Sequence, residues 1–190
     1  MPTIAADLSL TPREPVRVLS DDVTQLVVEA CAAGAETEHV TYYATWLRRL
    51  ARDPGNVAAI VRMDQARSLV GAFTNENWDD ACTALCTESL ANVVKTGRAN
   101  GLTVPHPDTG APIPIAKDVL DAGGVAMAAA AIGYNPEAWD PTPVSAERAQ
   151  AGCALLDALA TTPEEVRRVV LQEECVLPTA LTVVGSPEPS

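Results

Sequence analysis

Residues Thr37 to Asn56 read TEHVTYYATWLRRLARDPGN. Val40, Tyr43, Ala44, Leu47, Leu50 and Ala51 recur at steps of three and four, so one face of a helix gathers them. The helix opens at Thr37 or Glu38. It stops at DPGN, Asp53 to Asn56, where proline fixes φ, glycine tolerates any φ, and the Asp and Asn side chains bond their own backbone. A second stripe runs beside the apolar face: His39, Tyr42, Trp46 and Arg49. Tyr, Trp and Arg are the residues most used as interface anchors, so this stripe is the candidate partner-binding surface.

The helical reading extends in both directions. Ser20 caps a first helix, with Asp21 and Asp22 in its first turn and Gly34 at its end. After DPGN, Asn56 caps a third helix running to about Phe73. A fourth begins near Asn77 and ends around GRANG, residues 97–101. A fifth covers Ile115 to Gly133, weakened by Gly123-Gly124. A sixth runs from Ser145 to Ala160. The seventh opens with TPEE: Thr162 as cap, Pro163 at the first helical position, Glu165 closing a capping box. Val166, Val169 and Val170 give it one apolar face. Alanine dominates the apolar set and aromatics are 4% of the chain, so the core is made of small side chains that suit closely packed helices.

These signals predict an all-α single domain of about seven helices over residues 20–175. A proline-rich, hairpin-like loop interrupts it at about 102–115. Residues 1–19 are expected as a flexible N-terminal arm and 176–190 as a C-terminal tail. The N-terminus has no basic stretch followed by an apolar run, and no apolar segment approaches the length of a membrane span. Five cysteines form no secreted disulfide pattern, so a cytoplasmic setting is expected. Among the cationic residues only Lys95 and Lys117 are lysine. That preference for Arg and Ala points to a GC-rich bacterial genome or its phage.

The loop itself, VPHPDTGAPIP from Val104 to Pro114, contains Asp108-Thr109-Gly110, the triplet of the aspartic proteases. That chemistry needs the Asp on a turn between apolar strands and a second Asp sharing its proton. Here four prolines frame the triplet, and proline cannot donate to a sheet ladder. The expected structure is a turn flanked by two short strands, Leu102–Val104 and Ile113–Ile115, with Asp108 exposed and not catalytic.

Other chemistry is sparse. Cys82 and Cys86 share a helix face with Leu85, Ser89 and Val93, which reads as buried core and not as metal ligands. Asp79, Asp80 and Glu88 read as a solvated helix face. Between Arg48 and Arg67 lie Arg48, Arg49, Arg52, Arg62 and Arg67 against Asp53 and Asp64, a basic island in a chain of formal charge −12. It is the candidate anion-binding surface, although the overall charge argues against broad binding of phosphate backbones. There is no P-loop, no G-x-G-x-x-G, no G-x-S-x-G and no H-E-x-x-H. No catalytic residue, metal or cofactor is expected. The function expected is a non-catalytic interaction or assembly module that binds protein chains, copies of itself included. The alternative is a small regulator binding nucleic acid or another anion through the five arginines, and an enzyme of unknown class comes third.

Overall fold

The computed structural model describes residues 37–62, 65–73, 78–134 and 142–160. Among them are seven helices and one two-stranded ribbon: α1 (Thr37–Leu50), α2 (Pro54–Arg62), α3 (Gln65–Ala72), α4 (Asp80–Ala99), β1 (Thr103–Pro105), β2 (Pro112–Pro114), α5 (Ile115–Asp121), α6 (Gly124–Ala131) and α7 (Ala146–Leu159). The chain is all-α, as its periodicity predicts. The expected first and last helices, both terminal segments, Cys31 and Cys175 lie outside the described residues.

Helix α4 is the hub, and every other described helix packs against it. Its burial therefore runs round most of its circumference: Cys82, Ala84, Cys86, Thr87, Ser89, Leu90, Ala91, Val93, Val94 and Gly97 are all buried. Small side chains make this possible, because neighbouring axes must approach from several sides at once. The polar ones are satisfied through backbone carbonyls. Ser89 donates to Leu85 (2.7 Å) and to Ala44 on α1 (3.1 Å), and Thr87 donates to Thr83. The single buried face expected for this helix is thus too narrow.

Pairings along α4 set the direction of its neighbours. Ser89 meets Ala44, and Thr96 donates to Ala51 O at 2.6 Å, so α1 runs parallel to α4. Asp80 meets Ser145, Lys95 meets Asp157 and Arg98 meets Ala158, so α7 runs parallel to α4 as well. Helix α6 returns antiparallel to α7. Gly152 of α7 lies so close to it that an added Cβ would stand 2.8 Å from Ala128 O and 2.7 Å from Ile132 Cγ2.

The third expected helix, read as 56–73, is described as α2 and α3, either side of residues 63 and 64. Its cap is Asp53 and not Asn56: Asp53 Oδ1 accepts the N–H groups of Gly55 (2.9 Å) and Asn56 (3.1 Å), and Pro54 takes the first helical position. Asn56 is buried and donates from Nδ2 to Leu50 O. The fifth is α5 plus α6, broken where Gly123 takes φ +98°, a conformation that side-chain-bearing residues disfavour. The sixth stands as read, with Ser145 Oγ accepting the Arg148 N–H.

Between α4 and α5 the proline-rich segment forms an antiparallel ribbon in the register Thr103↔Pro114, Val104↔Ile113, Pro105↔Pro112. Val104 and Ile113 point into the core, while the other four face solvent. The turn closes through Gly110 N–H to His106 O and His106 N–H to Ala111 O, both at 2.8 Å, with Gly110 at φ +66°.

Candidate functional site

The α1 stripe is assembled as a surface. Tyr42 is 50% exposed, the one exposed large hydrophobic side chain among the described residues. Its ring stands edge-on to two neighbours, with centroids 5.4 Å from Tyr43 and 6.4 Å from Trp46. Such edge-to-face contacts set the positive rim of one ring against the negative face of another. The next step along the helix brings Arg49 over Trp46, its guanidinium carbon 4.8 Å from the ring centroid. Trp46 is half-buried and packs against the core, which fixes the shelf to the domain. His39 lies in α1, but its side chain is outside the described residues.

The α1 core face is as expected: Val40, Ala44, Leu47, Leu50 and Ala51 are fully buried and Tyr43 packs against them. With that face committed to α4, the helical step leaves Tyr42, Trp46 and Arg49 on the flank.

Two of the five arginines hold carboxylates of this chain. Arg48 Nη1 pairs with Glu88 Oε2 on α4 at 3.1 Å. Arg67 on α3 turns to α5, where Nε (3.1 Å) and Nη2 (2.7 Å) both donate to Asp118 Oδ1. Arg49 lies on Trp46, while Arg52 and Arg62 are exposed.

Cys82 and Cys86 are both fully buried. The Cys86 thiol, chiefly, and the Thr41 hydroxyl hydrogen-bond Cys82 and hold it down to about 7, against the upward push of burial. Among the described residues no group of three or more His, Cys, Asp or Glu is placed to share a metal ion. Burial alone pushes Cys153 up.

Asp108 stands at the ribbon tip with its side chain 88% exposed. Its N–H donates to His106 Nδ1 at 3.1 Å, a turn contact. The solvated position is the opposite of the enclosed, proton-sharing pair that protease chemistry requires.

The acids read as a solvated face have specific partners. Asp79 caps α4, accepting the Cys82 N–H at 2.7 Å. Glu88 holds Arg48. Asp80 reaches α7, accepting Ser145 N–H (2.7 Å) and Arg148 Nη1 (2.8 Å), while Arg148 Nη2 donates to Ala130 O of α6. Asp79 ahead of an apolar run was a legible cap signal. The Asp80–Arg148 pair spans 68 residues and leaves no local trace.

Among the described residues no helix is long and apolar enough to cross a membrane. Comparison with known protein families, curated proteins and solved structures finds no match to this chain.

Proposed function

We propose that this chain is a non-catalytic assembly module that associates with copies of itself through the Tyr42–Trp46–Arg49 face of α1. The observation that carries the reading is Tyr42, a large ring half in water yet held upright by Tyr43 and Trp46. A ring already ordered loses little conformational freedom on binding, so most of the gain from covering it appears as affinity. The absence of a catalytic motif in the sequence and its acidic charge favour a protein partner over a nucleic acid. The anion-binding alternative has less support, because Arg48 and Arg67 each hold a carboxylate of this same chain.

The test is light scattering across a concentration series, with wild type beside Tyr42→Ala. Truncating a central anchor costs on the order of 2 kcal/mol of binding, so the variant should dissociate at roughly thirtyfold higher concentration. A wild type that stays monomeric throughout, or a variant that assembles equally well, overturns the reading.

A further inference from the structure

The proline ribbon offers a surface that the fold does not use. Val104 and Ile113 anchor one side of it in the core. The register puts Thr103, Pro105, Pro112 and Pro114 together on the other side, all exposed. Three pyrrolidine rings on one face of a short ribbon make a rigid apolar plate. The same prolines lack N–H groups, so the ribbon is poorly suited to extend a sheet by pairing with another strand. What remains available is the face. Exposed proline rings are apolar partners for aromatic side chains, as in the aromatic-lined grooves that bind proline-rich peptides.

We infer that the ribbon of one copy docks on the Tyr42–Trp46 shelf of a second copy, a head-to-tail contact. This rests on the self-association reading and names what covers the shelf. The chain's own ribbon does not cover the shelf: with Val104 and Ile113 held in the core, both Tyr42 and the ribbon's proline face stay exposed. Ala44, beside the shelf, meets Ser89 midway along α4, and the ribbon leaves the last turn, ten residues or about 15 Å of axis further on. Charge agrees with the pairing. The ribbon tip carries the exposed carboxylate of Asp108, and the shelf continues past Trp46 to Arg49 and the exposed Arg52. Shelf and ribbon are different surfaces, so each copy offers one of each. Made in one direction only, as inferred here, the contact propagates into rings or open chains; made reciprocally, it would close as a twofold pair.

The experiment is complementation. One variant loses the shelf (Tyr42→Ala). The other loses the plate (Pro105→Thr with Pro112→Thr), using a residue suited to strands so that the ribbon persists. Asp108→Arg, at the solvated tip, is a second ribbon variant that disturbs no core residue. Each is checked for wild-type melting and then sized alone and mixed. Wild type should exceed a dimer in mass and each variant alone should be monomeric. An equimolar mixture of shelf and plate variants should form a one-to-one dimer, because one intact shelf meets one intact ribbon. If both ribbon variants assemble like wild type while Tyr42→Ala does not, the ribbon is not the occupant and the shelf reading stands. If both fail alone and the mixture also stays monomeric, the head-to-tail contact is overturned. A monomeric wild type removes both readings.

Discussion

The Asp80 carboxylate joins two helices at their starts: it accepts the Ser145 N–H at 2.7 Å and Arg148 Nη1 at 2.8 Å. In a capping box, a side chain within the helix reaches back to the N-cap amide. Here the acceptor comes from α4, so the start of α7 is tied to the start of the hub. Arg148 then extends the tie to α6 through Ala130 O.

Arg148 above all, then the Ser145 amide, hold the Asp80 carboxyl below its ordinary 3.8. A depressed carboxylate stabilises the fold fully above its unfolded pKa, and the contribution disappears as pH falls through the folded one. Asp80→Asn should therefore lower stability at neutral pH and converge with wild type below pH 3.8. The side chain is 41% exposed, which screens the pair, so the loss should be about 1 kcal/mol. Melting curves of both proteins across pH test this; a constant gap at all pH values would show that the carboxylate charge is not involved.

Two further ion pairs should differ sharply in worth. Asp118 is 1% exposed and Arg67 is its partner, whereas Arg48 and Glu88 are each more than a third exposed. Arg67→Ala leaves a buried carboxylate without its cation, at a cost of about 3 kcal/mol. Arg48→Ala separates two solvated groups and should cost less than about 1 kcal/mol. Chemical denaturation of the two variants makes the comparison. Equal losses would mean that burial of Asp118 does not govern its pairing.

Gly152 tests the close approach of α6 and α7. An added methyl would overlap Ile132 Cγ2 and Ala128 O, so Gly152→Ala should cost about 1–3 kcal/mol. Gly71 is the control, since it is exposed on α3 and an added Cβ there meets nothing within 4 Å. Gly71→Ala should be neutral or stabilising by up to about 1 kcal/mol, from helix propensity. Opposite shifts in melting temperature are expected; a harmless Gly152→Ala would mean that the two helices can separate freely.

Elements whose determinants are local were legible. Helix α7 announces its start through Ser145, and DPGN announces the stop of α1. The division at Gly123 was visible as a weakness, because glycine lowers helix propensity, but whether the chain turns there is decided by what α6 packs against. The all-round burial of α4 was not legible. A period of 3.6 identifies one apolar stripe, and Ala, Ser, Thr and Cys are small enough to be buried on any side. The shelf was legible because its members lie one helical turn apart on one helix. The pairing of Arg48 and Arg67 with carboxylates was not, since those partners lie 40 and 51 residues away.

Tyr42 and Trp46 should separate association from stability. Adjacent on the shelf, they differ in what lies beneath them. Tyr42 is half in water, and its contacts are Tyr43 and Trp46. Trp46 packs against the core on one side and carries Arg49 on another, so its removal should reach the core as well as the surface. Truncating a fully buried Trp costs roughly 3–5 kcal/mol, and a half-buried one should lose a fraction of that. Losing the stacked guanidinium adds about 0.5–1 kcal/mol. Tyr42→Ala should thus weaken self-association with melting nearly unchanged, whereas Trp46→Ala should weaken association and lower melting together. Trp46→Phe keeps an apolar ring in the core and should recover much of the stability. Light scattering and thermal melts on the three variants decide it. A Tyr42→Ala protein that melts much lower but assembles normally would make Tyr42 a structural residue and remove the shelf as a binding surface.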